Sequence, residues 1–398
     1  MSYISNINKA WKVIPFGKVV RRSQYGLSES ATEDGVPYLK MSNIRDGKVI
    51  ITGADRLKVD EKTLENYALK KGDIVFNRTN SLDLVGKTAV FQADERVLFA
   101  SYLVRFQLHE NKAESRFIAA WFATAGATHR LRCLATPGVS QSNINPTTLK
   151  VSMHVPCPPL PEQRKIADIL TTWDDALTQL DALIEAQERR KKALMQQLLS
   201  GRRRLPGFKG KWKKAALGDL AENVADQNKG RMGTDSLYGV TKAEGMVPMR
   251  EHVKGGSFDR CKRVETDWFA YNPMRLNIGS IARWRETKPV MVSGDYVVFR
   301  CRPDRLLPGY LDQIRQSWMW HSFVTRGGNG SVRIRIYFSD LANFTFPCPP
   351  LEEQRQITAI FDAADHQLTL LRAQRAALDQ QKRGLMQRLL TGKLHVLS

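Results

Sequence analysis

Acidic residues are scarce in this sequence, 40 against 61 lysines and arginines, which leaves a net charge of +21 and a pI near 9.9. A deficit of that size favours a polyanionic partner, nucleic acid first and an acidic membrane surface second. Cysteine is sparse too: five residues, at 133, 157, 261, 301 and 348, with no CxxC pair. That argues against a disulfide framework and a zinc site, and for reduced thiols in a cytosolic protein. Long apolar runs are missing. The best, 117–127, is broken by Thr and Gly and falls well short of the ~20 residues that span a bilayer. The opening stretch lacks the apolar core and cleavage site of a signal peptide. These absences predict a basic, cytoplasmic chain without a membrane partner.

Catalytic apparatus is lacking as well. "LVGKT" at 84–88 resembles the end of a phosphate-binding loop, but Ser81 stands where its first glycine belongs. "YNPM" at 271–274 has Met274 where a methyltransferase loop has its second proline, and no glycine-rich cofactor motif precedes it. "ETK" at 286–288 has no upstream Pro-Asp partner of a nuclease signature, and the seven histidines never take metal-ligand spacing. No catalytic or metal-binding residue is assigned.

What is present is a repeat. "PCPPLPEQRKIADIL" at 156–170 returns as "PCPPLEEQRQITAIF" at 347–361, identical at ten of fifteen positions. "LMQQLLSG" at 194–201 returns as "LMQRLLTG" at 385–392 with the same offset of 191, so about 45 residues are duplicated without a gap. A helix imposes that constraint, because one inserted residue rotates everything beyond it by about 100°. Apolar positions step by four and three along Ile166, Leu170, Trp173, Leu177, Leu180, Ile184, Leu194 and Leu198, with Gln187 and Lys191 as polar interruptions. The second copy gives Ile357, Phe361, Ala364, Leu368, Leu371, Leu378, Leu385 and Leu389, with Arg375 and Lys382 interrupting. This is a coiled-coil seam. Prolines stand before each helix, and Gly201 and Gly392 stand where a left-handed terminating residue is wanted. Each helix should run about 38 residues, roughly 55 Å.

At 398 residues the chain is too long for one ordinary core. Four segments are expected: globular regions at 1–155 and 202–346, and helices within 156–201 and 347–398. The second globular region leaves the C-terminal end of one helix and enters the N-terminal end of the other. Paired helices must therefore be antiparallel, giving a pseudo-twofold α/β dumbbell with a globular head at each tip. The heads share weak traces: "WKVIPFGKV" from Trp11 against "WKKAALGDL" from Trp212, and 75–87 against 270–282.

The helical windows 162–201 and 353–392 hold 6 basic and 7 acidic, and 6 basic and 4 acidic residues, a net of +1. The remaining +20 lies in the heads and connectors, favouring basic heads on a nearly neutral spacer. Basic, amide and hydroxyl side chains suited to base edges share polar loops. In the first head these are Lys40, Ser42 and Arg45, then Arg78, Asn80 and Lys87, then Ser140, Gln141 and Asn143. In the second they are Lys242, then Arg275, Asn277, Arg283 and Arg285, then Arg333.

Two divergent heads separated by duplicated "P-x-P-P-L-x-E-Q-R-x-I" helices resemble the specificity subunit of type I restriction–modification systems, over essentially the whole chain. The loops "NRTNS…LVGK" and "NPMRLNIGSI" are similar to elements of that family's target-recognition domains. The second head departs from the closing "G…Q-x-N-I" pattern, with 332–336 where the first has 140–144. The resemblance implies that each head is a small α/β target-recognition domain reading one half of a bipartite, asymmetric site in double-stranded DNA. It implies that the helices separate the halves and dock two methyltransferase subunits; the coiled-coil and partner-docking positions are Ile166, Leu170, Trp173, Leu177, Leu180, Leu194, Leu198, Ile357, Phe361, Leu368, Leu371, Leu385 and Leu389. It places S-adenosylmethionine, ATP and magnesium on partner subunits, with adenine methylation on the modification subunits and ATPase and nuclease on the restriction subunits. Two other readings remain at this stage. One is the specificity subunit of a fused cut-and-methylate system. The other is a coiled-coil scaffold whose basic heads bind RNA or protein.

Overall fold

The structure, a computed structural model, describes residues 4–5, 7–249, 258–326 and 335–396. The chain forms two compact units, Met1–Asp181 with Gln374–Ser398, and Ala182–Ala373. Two long helices, Leu160–Leu198 and Leu351–Leu390, each contribute to both. They are 39 and 40 residues long, one and two more than the seam predicts. Pro161 sits in the first turn of one and Glu352 and Glu353 in the first turn of the other. A missing N–H costs nothing there, and a carboxylate favours the positive end of the helix dipole. Gly201 and Gly392 close the helices with φ of +73° and +67°. A Cβ on Gly201 would stand 3.0 Å from the Trp212 ring, and one on Gly392 3.1 Å from that of Trp11. The glycine therefore serves both a left-handed turn and a close aromatic approach.

In the first unit, the strands Val20–Tyr25, Leu103–Leu108, Ile74–Asn77 and Thr88–Val90 form an antiparallel sheet in that order. The second unit repeats it with Ala221–Val224, Val297–Cys301, Phe269–Tyr271 and Ile281–Arg283. An eight-residue helix follows each sheet, Ser115–Phe122 and Pro308–Arg315. The sheet packs its apolar face on these helices. Phe16 meets Phe106 and Phe122 edge-on at 5.2 and 5.0 Å in one core, and Phe269 stacks on Phe299 at 5.0 Å in the other. The strand opening each head, Lys12–Pro15 or Lys213–Ala216, pairs with the strand leading into its long helix, His154–Cys157 or Thr345–Cys348. The heads thus share a topology that their sequences barely show.

The repeated glutamine anchors helix to head in both units. Gln163 is fully buried; its Oε1 accepts from the Glu114 N–H at 3.0 Å, and its Nε2 donates to the Pro158 and Lys112 carbonyls at 2.9 and 3.2 Å. Gln354 repeats this with the Leu307 N–H at 2.8 Å and the Pro349 and Arg305 carbonyls at 2.9 Å each. Removing the side chain leaves buried backbone groups unpaired, at roughly 1–3 kcal/mol each. Gln163→Ala or Gln354→Ala is expected to destabilise its own unit by about 2–4 kcal/mol. Hydrogen exchange on the two variants checks this, each showing lost protection in one unit only.

The seam's charged interruptions, Lys191, Arg375 and Lys382, are ion-paired. Within the first unit Lys382 meets Asp174 at 2.6 Å and Arg375 meets Asp181 at 3.0 Å. Within the second, Lys191 meets Asp365 and Arg372 meets Glu188, both at 2.5 Å. As numbers rise on one helix they fall on the other, so the helices pair antiparallel in each unit, as connectivity demands. Lys191 with Asp365 and Lys382 with Asp174 are the same pair related by the repeat offset of 191. Such pairs add little stability at partly exposed positions, but a polar residue in a seam fixes register.

Candidate nucleic-acid interface

In the first head, the short strands Thr79–Asn80 and Ser142–Asn143 pair antiparallel, joining loops that are more than sixty residues apart in sequence. Asn80 faces Ser142, Thr79 faces Asn143, and the Ile144 N–H donates to the Arg78 carbonyl at 2.8 Å. Thr79 and Asn143 share one face of this pair, with Thr79 Oγ1 reaching Asn143 Oδ1 at 3.5 Å, and Asn80 lies on the other; Arg78, Asn80 and Asn143 are half-buried, and Ser140 and Gln141 are exposed. Asn77 closes the loop: its N–H donates to the Lys87 carbonyl and its carbonyl accepts from the Gly86 N–H, both at 2.8 Å. Asn77 Nδ2 also reaches the Met41 carbonyl at 3.5 Å, bringing up the segment that holds Lys40, Ser42 and Arg45. Lys40 pairs with Asp55, and Arg45 Nε donates to the Ser42 carbonyl at 2.9 Å. Arg45 sits on a hairpin whose Lys48 reaches Thr178 of the first long helix.

Two residues the sequence reading missed complete this surface. Tyr25 lies under the Arg78 guanidinium, 5.0 Å from ring centre to Cζ, and is 48% exposed; Tyr102, whose carbonyl accepts from the Arg78 N–H, is 44% exposed. A guanidinium stacked on an aromatic ring is oriented without spending all its donors. Arg78 Nη1 donates to the Ser101 carbonyl at 3.3 Å. Its Nε is buried, and the remaining Nη donors can address a base edge or phosphate. Exposed tyrosines next to arginine were the available signal, but only folding brings positions 25, 78 and 102 together.

In the second head, Lys242, Asn277, Arg283 and Arg285 line one cleft of about 660 Å³, together with Arg315 and Trp320. Arg275 and Asn277 are exposed on the loop after Phe269–Tyr271. The stem of Lys242 packs near Gly279, whose φ of +96° suits glycine. Arg283 is no free surface residue: at 13% exposure its Nε lies 2.8 Å from Asp312, and it also pairs with Asp267 at 3.4 Å. Arg285 meets the same Asp312 at 3.0 Å yet is 62% exposed. Arg333 lies outside the described residues, as does most of 332–336.

The seam residues divide by role. Ile166, Leu170 and Leu389 belong to the core of the first unit, and Leu198, Ile357 and Phe361 to that of the second. Leu385 and Leu194 pack at the margins of the same cores. These side chains hold heads to helices, and Ile166, Leu170, Leu198, Ile357, Phe361 and Leu389 are fully taken up by that packing. Leu177 and Leu368 are buried, while Trp173, Leu180 and Leu371 are half-buried. The large apolar residues exposed on the helices are instead Leu183 and Leu370, at 43% and 56%. Among the described residues no helix is long and apolar enough to cross a membrane.

This pairing of twin α/β heads with duplicated helices corresponds to a known class. The family model described as the type I restriction modification DNA specificity domain matches residues 9–188 and 289–380. The chain belongs to that family. The type I restriction enzyme MjaX specificity subunit of Methanocaldococcus jannaschii is 25% identical over 99% of this chain and 96% of its own length. The StySPI specificity subunit of Salmonella potsdam is 29% identical over 39% of this chain and 34% of its own. The crystal structure of a type I restriction–modification S subunit from M. genitalium superposes with a TM-score of 0.61 at 16% identity, covering 97% and 96% of the two chains. That likeness is one of fold.

Proposed function

We propose that this chain is the DNA sequence-specificity subunit of a type I restriction–modification complex, each head reading one half of a bipartite, asymmetric site. The observation that carries the reading is internal. The glutamine anchor, the terminal glycine–tryptophan contact and the Lys–Asp pair recur in both halves, whereas the surface loops differ. Constant joints carrying different loops suit a reader of two unlike half-sites. The long helices set the distance between half-sites and present a surface to two methyltransferase subunits. Leu183 and Leu370 are the apolar positions offered to that surface. S-adenosylmethionine, ATP and magnesium chemistry is assigned to the partner subunits, and the chain itself acts without a catalytic residue, in the cytoplasm.

The test uses the full chain with and without its modification subunits. Alone it should transfer no methyl group; the complex should methylate duplex DNA at one bipartite sequence. Methyl transfer by the chain freed of partners would refute the non-catalytic assignment. Competition separates the scaffold reading: duplex DNA should displace a bound duplex, and RNA of equal length should not.

A further inference from the structure

The cleft of the second head is built over a buried carboxylate. Asp312 is 2% exposed, yet three guanidiniums converge on it: Arg283 Nε at 2.8 Å, Arg285 Nη2 at 3.0 Å, and Arg315 from one helical turn away. Arg283 Nε makes this contact without an aligned hydrogen bond, so charge rather than geometry holds it. Arg315 is fixed further by donation to the Ile281 carbonyl at 2.9 Å and by its position over the Phe269 ring.

The molecule contains its own control. The matching strand registers and helices equate Arg283 with Val90, because each is the last residue of its strand, paired with Phe269 and Ile74 respectively. The residues whose N–H groups bond the two glutamine anchors, Glu114 and Leu307, align the following helices. Asp312 then falls on Ala119 and Arg315 on Phe122. The first head fills these three positions with apolar side chains. An apolar cluster therefore suffices for this fold, and burying charges in its place is not explained by stability, since desolvation offsets most of their attraction. Arg285 is the member of the cluster that reaches solvent, at the cleft mouth beside Lys242 and Asn277.

We infer that Asp312 is a positioning residue for specificity: it holds Arg285, braced by Arg283 and Arg315, at a fixed angle to read a base in the second half-site. This rests on the proposed function. A guanidinium already paired on one edge presents its other donors with less rotamer freedom to lose, which sharpens discrimination between bases. Part of Arg285's fork remains for the DNA, because one nitrogen contacts Asp312.

The test measures methylation by the assembled complex on duplexes carrying single changes in either half-site. Arg285→Ala and Asp312→Asn should each cut discrimination at one base pair of the second half-site about ten-fold, in keeping with one good bidentate contact. Combining them should add little, since both act through the same contact. The triple variant Arg283→Val, Asp312→Ala, Arg315→Phe installs the first head's residues; it should fold, assemble and lose the same discrimination. A purely structural role would instead lower assembly and methylation of all second-half-site variants alike, leaving their ratios intact. That result, or fully multiplicative losses in the Asp312–Arg285 double variant, would overturn the inference. Wild-type complex without any site-directed methylation would instead sink the proposed function itself.

Discussion

Arg78→Ala is expected to weaken discrimination at one half-site by roughly ten- to a hundred-fold while leaving the other half-site's preferences unchanged. The size follows from a good bidentate base contact, worth about 1–3 kcal/mol of discrimination. The confinement follows from the fold. Arg78 belongs to the first unit, stacked on Tyr25 and tied to Thr79–Asn80 and Ser142–Asn143, and its hydrogen bonds and ring contact among the described residues lie in that unit. Tyr25→Phe preserves the stacking ring and should behave as wild type, whereas Tyr25→Ala should lose part of what Arg78→Ala loses. In the mirror experiment, Arg275→Ala and Asn277→Ala should affect the other half-site alone. Competition binding by the assembled complex, using duplexes altered in one half-site at a time, gives the comparison. Equal loss at both half-sites would assign these residues to phosphate contact or to the fold.

Lengthening both long helices is expected to change the spacer and nothing else. Four residues inserted after Ile184 and four after Ala373 fall between the ion pairs of the two units, so Asp174–Lys382 and Asp181–Arg375 stay together, as do Glu188–Arg372 and Lys191–Asp365. Each helix grows by about 6 Å and turns about 40° beyond whole turns. At ~3.4 Å per base pair the unread spacer should lengthen by one or two base pairs, with both half-site sequences retained. Inserting into one helix alone breaks the register of the Lys–Asp pairs and should abolish site-specific methylation. Sequencing the methylated sites gives the spacer directly. An unchanged spacer with altered half-sites would mean that the helices do not set the distance.

The helices were legible and the heads were not, for physical reasons that particular residues make plain. A gap-free repeat leaves a coiled coil little freedom, so the seam and the terminal glycines follow from spacing, and the antiparallel pairing from connectivity. Even the interruptions were informative: Lys191 and Lys382 fall on the seam because each meets an aspartate of the opposite helix. The role of Gln163 and Gln354 was hidden although both were visible as repeated residues, because their partners are backbone groups near residues 112–114 and 305–307 that share no sequence. The first head's surface depends on a two-residue strand pairing, Thr79–Asn80 with Ser142–Asn143, too short to leave a periodic signal. Along the seam, burial competes with amphipathicity. Ile166, Phe361 and Leu389 look like a free seam in sequence, but the heads occupy them. Arg283 shows the same limit in the other direction: a basic loop residue by sequence, it is held by Asp312, whose helix lies some thirty residues further on.

The central claim, that this chain alone chooses the DNA sequence for a modification complex, is tested most directly by mapping methylated adenines across the genome with and without its gene, the modification genes left intact. The account predicts that methylation at one bipartite, asymmetric motif disappears on deletion. It should return when the chain is resupplied, and with Arg78→Ala it should return with one half of the motif relaxed. Methylation of that motif persisting without the chain, or a complementing chain that restores it irrespective of both heads' loops, would contradict the account.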